Sequence, residues 1–237
     1  MSKIYQHSTL AALMAKQMQG TTTIGELLTH GDTGIGTLDG VDGEVIILNG
    51  DVHQADEFGN VNHITDMDTK LPFATVHFAS SDAIELDLAP TDFASLADLQ
   101  HGYHFTNNFA ALELHGNFKD VLVRAAPKST APYPSLLEVA KKQPTFTAEN
   151  ISGTIVGYFA PELYQGTVAA GWHLHFLSDD HTFGGHLLET HTEQLQGTLE
   201  LMSDFQLHLP IENEAFRDHT PMGDGLKEGI QAAEGAH

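Results

Sequence analysis

The chain contains no cysteine. That absence excludes disulfide bridges, thiolate zinc centres, iron–sulfur ligation and a cysteine nucleophile together. Basic residues are scarce: 10 Lys and Arg stand against 32 Asp and Glu, a formal charge of −22. Nucleic acids and anionic membranes are held by clustered cations, so neither is an expected partner. Only two arginines occur, Arg124 and Arg217. No segment approaches about 18 consecutive apolar residues, the length that reads as a membrane-spanning helix. The opening MSKIYQHSTLAALMAKQMQG also lacks a basic stretch followed by an unbroken apolar run, so it does not read as a signal peptide. A soluble, cytoplasmic protein is the default expectation.

What is present describes a folded chain. At 237 residues, with 41% hydrophobic and 18% charged, it is long enough and apolar enough to bury a full core. Ser8 can cap a short helix through Leu10, Leu13 and Met14, and a second fits Thr23 to Thr29. The glycine-rich run from Gly31 to Asn60 predicts a hairpin about Asn49-Gly50, with strands Glu44 to Leu48 and Asp51 to Ala55. Its Gly34-x-Gly36 spacing precedes a strand and does not open a helix, which argues against a dinucleotide loop. Further strands are expected at Phe73 to Ala79, and at Phe109 to His115 and Lys119 to Ala125 across a Gly116-Asn117 turn. Helices fit Thr91 to Gln100, Ser135 to Lys142 and Gly225 to Ala233. After Gln143-Pro144 the pattern is of long strands, Phe146 to Ala160, Gly166 to Leu177, His186 to Thr192 and Leu195 to Leu209. In the last, Leu199, Leu201, Phe205, Leu207 and Leu209 alternate with polar residues. The expected fold class is α+β (mixed α/β). A boundary at the proline divides it into an N-terminal mixed domain, 1–143, and a C-terminal antiparallel β domain, 144–237.

The most informative stretch is Gly171-Trp172-His173-Leu174-His175, continued through SDDHTFGG to His186. Two histidines two apart leave the same face of a strand. A glycine-rich reversal returns His186 towards them, and three neutral imidazoles with a position left open are what a catalytic zinc site requires. With 16 histidines in the chain, about one HxH pair is expected by chance, so the third histidine carries the argument. His181 and His191 read as a turn residue and a sheet residue. Glu44 enters the apolar run Val45-Ile46-Ile47-Leu48. It either faces solvent at a strand edge or is buried, where a carboxyl is pushed towards its protonated form and suits proton donation. Arg124 ends the apolar VLVR strand, so it needs either a structural carboxylate partner or an anionic ligand.

The ordered motifs GDTGIGTLDGVDGE, VLVRAAPKS, GTIVGYFAPEL and GWHLHFLSDDHTFGGH closely resemble α-acetolactate decarboxylase, over most of the length from about Ile24. The resemblance implies a zinc-dependent dimer that converts 2-acetolactate to acetoin and CO₂, with two mixed α/β domains, the metal site between them and one sheet continuing across a homodimer. It implies that His173, His175 and His186 are the Zn²⁺ ligands, that Glu44 and Arg124 are catalytic, and that Thr37 lines the site. A further catalytic Glu is implied near the C-terminus, with Glu234 the most similar position and Glu228 a weaker one. The expected chemistry is loss of CO₂ to a metal-stabilised enediolate, which is then protonated on one face. Three other readings fit the residues alone: a cupin-type metal dioxygenase or isomerase, hydrolysis by zinc hydroxide, and a β-sheet protein that binds metal adventitiously. In the last, Glu44 and Arg124 would lie far from the three histidines.

Overall fold

The computed structural model describes residues 2–220 together with Gly229. The first half of the chain forms β1 (Lys3–His7), α1 (Leu10–Met14), β2 (Thr22–Thr23), α2 (Ile24–Leu27), β3 (Thr33–Leu38), β4 (Asp42–Leu48), β5 (Asp51–Ala55) and β6 (Val61–His63). It continues through β7 (Lys70–Leu71), β8 (Phe73–His77), β9 (Ile84–Leu88), α3 (Phe93–Ala97) and α4 (Leu99–Gly102). The second half comprises β10 (Phe109–Arg124), α5 (Leu136–Ala140), β11 (Thr145–Ala160), a 3-10 turn at Glu162–Tyr164, β12 (Gly171–Ser178), β13 (Gly184–Met202), β14 (Asp204–His208) and α6 (Glu214–Asp218). The class is mixed α+β, with strand dominating.

Two sheets organise these elements. One has seven strands in the order β14-β1-β8-β3-β4-β5-β6. The other closes on itself: β10 lies between β11 and β13, β11 pairs with β12, and β12 pairs with the first residues of β13. Strand β9 adds to the outer edge of β13. The sheets do not follow a 143/144 division. Strands β9 and β10 join the second sheet from the N-terminal side, while β14 returns to pair in parallel with β1.

Side-chain alternation separates the buried layers. Leu174 and Phe176 of β12 join Phe118, Ile155 and Leu195 inside the closed sheet. Leu177 points the opposite way and meets Ile35, Ile46, Val156 and Tyr158 in the layer between the two sheets. The outer face of the seven-stranded sheet, with Val45, Ile47 and Val76, is covered by Ile24 and Leu27 of α2.

Several local expectations are corrected. The cap of α1 is Thr9, whose side chain accepts from the Ala12 N–H, because Ser8 is held in a left-handed conformation (φ 66°). Gly116-Asn117 is not a turn. β10 runs straight through it, paired on both sides, and absorbs the irregularity as register shifts between Gly116 and Asp120. Strand β13 likewise bridges Thr192 to Leu195, and its alternation stops at Ser203, where the chain changes sheets. Glu200, not Leu201, therefore faces inward, its carboxylate accepting from the Ser80 N–H at 3.0 Å. β1 was not anticipated, and the expected helix 225–233, Gly229 apart, lies outside the described residues. No helix among the described residues is long and apolar enough to cross a membrane.

His7 on β1 couples this fold to pH. It is buried with Nδ1 3.0 Å from Nδ1 of His208 and Nε2 2.7 Å from Thr21 Oγ1. Burial first, then the adjacent His208, lowers its pKa from 6.5 to about 4. As pH falls, the unfolded state therefore takes up this proton first. Stability is expected to decline between pH 6.5 and about 4, by up to about 1.4 kcal/mol per pH unit from this group. Urea unfolding from pH 7 to 4.5 should show that slope, and His7→Asn should make it shallower. An unchanged slope would show that His7 does not carry it.

Candidate active site

Strand geometry assembles the histidines. His173 and His175 share the face of β12 that looks towards the seven-stranded sheet, opposite Leu174 and Phe176. His186, two residues into β13, is the direct cross-strand partner of His175. The ring centroids are 4.9 to 5.6 Å apart, and one potential ligand nitrogen from each ring lies within 4.8 Å of the others. Gly185 makes the return possible. Its φ is 146°, and a Cβ there would stand 2.7 Å from the Arg124 carbonyl oxygen.

His175 is fully buried, and its Nδ1 donates to the Val45 carbonyl of β4 at 2.9 Å. That bond selects the tautomer and leaves the Nε2 lone pair turned towards the other rings. His175 Nε2 has no hydrogen-bond partner of its own, lying 3.5 Å from Glu44 Oε2. Burial, then Arg124, lowers the His173 pKa to about 4. Burial, then His173, holds His175 well below its ordinary value, against the opposing bond to Val45. Two imidazoles held neutral, with the buried His175 Nε2 in no hydrogen bond, are the type of donor a borderline cation needs. Metal–nitrogen bonds of about 2.0–2.1 Å would require only small ring rotations from these separations. The residues fit a metal.

Glu44 reaches the same point from the other sheet. Alternation along β4 places it on the inter-sheet face with Ile46, and it is 8% exposed. The buried reading of Glu44 is the one realised. Its Oε1 accepts from the Ala126 N–H at 3.1 Å. Gly43, immediately before it, has φ 70°, and a Cβ there would overlap the Ala55 carbonyl. The Gly43 carbonyl accepts from Thr37 Oγ1 at 2.7 Å, so the glycine-rich motif is a tight bulged hairpin that aims Glu44. Arg124 ends β10 directly beside His186, to whose Nε2 its Nη2 donates at 3.3 Å. Arg124 Nε is buried without a hydrogen-bond partner, and no carboxylate among the described residues pairs with the guanidinium. A buried cation with an unmet donor favours an anionic ligand over a structural ion pair.

Thr37, Glu44, Arg124, His173 and His186 all line one cavity of about 40 Å³ between the sheets. Glu234 and Glu228 lie outside the described residues. The cavity wall also holds groups that sequence reasoning missed. Leu10 and Leu13 of α1 line it, as does Gln143, whose Oε1 is buried without a partner. Gln143 was legible only as a helix stop before Pro144, because nothing local marks it as facing a histidine cluster. A wider cavity of about 440 Å³ lies beyond His186 against Phe93, Phe159 and Trp172. It lacks Glu44, Arg124 and the other two histidines, so the chemistry belongs to the smaller one. His191 is an exposed sheet residue whose Nδ1 is 3.0 Å from both Asp120 carboxylate oxygens, which raise its pKa.

Comparison with known proteins shows the family. Residues 4–221 match the family model for alpha-acetolactate decarboxylase. The chain is 39% identical to the alpha-acetolactate decarboxylase of Lactococcus lactis subsp. cremoris, over 98% of both chains. It is 38% identical to that of Streptococcus thermophilus, again over 98% of both. The crystal structure of the Bacillus subtilis strain 168 enzyme superposes with a TM-score of 0.93 at 28% identity, covering 98% of this chain and 99% of that one. The cupin-type and non-enzymatic readings are thereby set aside: the chain belongs to the alpha-acetolactate decarboxylase family and is a decarboxylase.

Proposed function

We propose that this decarboxylase converts 2-acetolactate to acetoin in the cavity between the two sheets, using Zn²⁺ held by His173, His175 and His186. The observation that carries the reading is convergence. Glu44 from β4 and Arg124 from β10 line the same small cavity as His173 and His186, and His175 stands beside them with its Nε2 3.5 Å from Glu44 Oε2. Adventitious metal binding does not require either residue.

The substrate carries its carboxylate on a carbinol carbon next to a ketone. Breaking the C–C bond releases CO₂ and leaves an electron pair that moves onto the ketone oxygen as an enediolate. A cation in the three-His site would supply Lewis-acid stabilisation of that developing charge. Arg124 binds the substrate carboxylate by charge-assisted hydrogen bonds, and it offsets locally the repulsion that a chain of net charge −22 exerts on an anion. Glu44, oriented by the Ala126 N–H, delivers a proton to the carbon that lost CO₂, from one side only. Thr37 acts by bracing the Gly43 carbonyl immediately before Glu44. Glu234 is proposed as the second carboxyl group. It lies five residues past Gly229, which packs on Met14 of the helix whose Leu10 and Leu13 line the cavity. A homodimer is also proposed, supported by the exposed apolar residues Leu207, Leu209 and Ile211 on and beyond edge strand β14.

Purified protein should contain zinc, and acetoin production from racemic acetolactate should stop after chelation and return with Zn²⁺. Full activity after exhaustive metal removal would sink the zinc assignment. Glu44→Gln should retain the metal of the wild-type protein while lowering kcat by roughly 100-fold or more, the usual scale for losing a proton donor. Kinetics like wild type would make Glu44 structural. Arg124→Lys keeps the charge but loses the planar fork, so kcat/KM should fall about 10-fold or more, with KM carrying part of the loss.

A further inference from the structure

A second group of imidazoles lies at the other end of the β12–β13 connection. His53 on β5 and His63 on β6 are direct cross-strand partners, so their side chains leave the same face of the seven-stranded sheet. Asp51, two residues before His53, shares that face. The turn between β12 and β13 brings His181 against them from the other sheet. The His53 and His63 rings are stacked with centroids 5.1 Å apart, and His181 meets His53 edge-on at 4.3 Å. These spacings are close to those within the catalytic trio, 4.9 to 5.6 Å.

Three observations mark this cluster as more than surface histidines. His53 is 4% exposed, and its buried Nδ1 has no hydrogen-bond partner. Burial, then His181 and His63, lowers its pKa, which favours the neutral ring with its one nitrogen lone pair; Asp51 opposes that shift. His181 is presented in a left-handed conformation (φ 54°), where glycine or asparagine would be cheaper. The turn that holds it there is built deliberately: Ser178 Oγ donates to Asp180 Oδ1 at 2.7 Å, and the Thr182 N–H and hydroxyl donate to the same oxygen. The three rings and Asp51, with Val61, surround a solvent-connected cavity of about 260 Å³.

We propose that His53, His63 and His181, with the Asp51 carboxylate, form a second divalent-metal site, separate from the catalytic trio, for a cation of the zinc–nickel–copper class. Imidazole nitrogens with one carboxylate are the donor set those ions prefer. The ring nitrogens do not all point at one centre, but His63 and His181 are exposed side chains and turn freely about their χ angles. The bound cation fastens the β12–β13 turn to the β5–β6 hairpin, linking the two sheets two residues along β5 from Ala55, the cross-strand partner of Glu44. It therefore acts as a clasp on the segment that joins His175 to His186.

The test is metal stoichiometry. Wild type and the His63→Gln/His181→Gln double variant, both altered only at exposed positions, are equilibrated with excess Zn²⁺, dialysed and analysed for zinc per chain. The wild type should retain one equivalent more than the double variant. Saturating Zn²⁺ should raise the wild-type Tm by about 5 °C more than that of the variant, the scale expected for a site filled well above its Kd. Because the readout is a difference of one, it stands whether or not the catalytic trio holds zinc. Equal zinc content in the two proteins overturns the proposal. So does loss of the same equivalent in His115→Gln, whose ring pairs with exposed Asp179 at 3.1 Å, since that would mark generic surface binding.

Discussion

The hydrogen bond from His175 Nδ1 to the Val45 carbonyl ties the whole site together. It crosses from the closed sheet to the open one, and in doing so it sets which nitrogen of His175 remains available. The residue before that carbonyl matters as much: Glu44, one position before Val45, is carried into the same cavity by the register of β4 against β3 and β5. If β4 slipped by one residue in its own sheet, alternation would turn Glu44 away from the imidazoles. The apolar layer of Ile35, Ile46, Val156, Tyr158 and Leu177 prevents that slip, each fully buried large side chain contributing about 1.5–3 kcal/mol.

Electrostatics inside the site run against the protein as a whole. A strongly acidic chain places one of its two arginines beside three imidazoles, and burial together with that positive charge keeps His173 and His175 unprotonated. Neutral rings suit a cation, and the guanidinium suits an anion. In the proposed reaction the cavity would offer complementary halves to a substrate that is a carboxylate at one end and a pair of metal-chelating oxygens at the other. The second histidine cluster shares the neutral, partly buried character at His53 but has no cation beside it, which fits a binding role and not turnover.

Local signals were reliable where the local structure decides the outcome. The helix expected from Ser135 forms, closed by a capping box with Glu138, the Asn49-Gly50 hairpin turns where expected, and His173 and His175 do share a strand face. They failed where distant strands intervene. Gly116-Asn117 has the chemistry of a turn, yet strands on both sides hold it extended in β10. Leu195, Leu199, Leu201, Leu207 and Leu209 share one parity, yet the chain changes sheets at Ser203, and Leu201 and Leu207 are exposed. Gln143 and the α1 leucines carried no sign of their place at the cavity.

The amino-acid sequence alone determined the ingredients of this protein: a cysteine-free chain, an HxH pair with a third histidine after a glycine return, a glutamate entering an apolar strand and an isolated arginine ending another. Those follow from residue chemistry and from the two-residue period of a strand, which are local properties. Only the tertiary structure decided that Glu44 is buried and not at a solvent-facing edge, that Arg124 meets His186 and not a structural carboxylate among the described residues, and that His181 reaches His53. Each depends on which strands pair and how two sheets stack, and that is set by burial summed over the whole core. The three histidines found in one stretch are half of a site, and the packing of a second sheet supplies the other half.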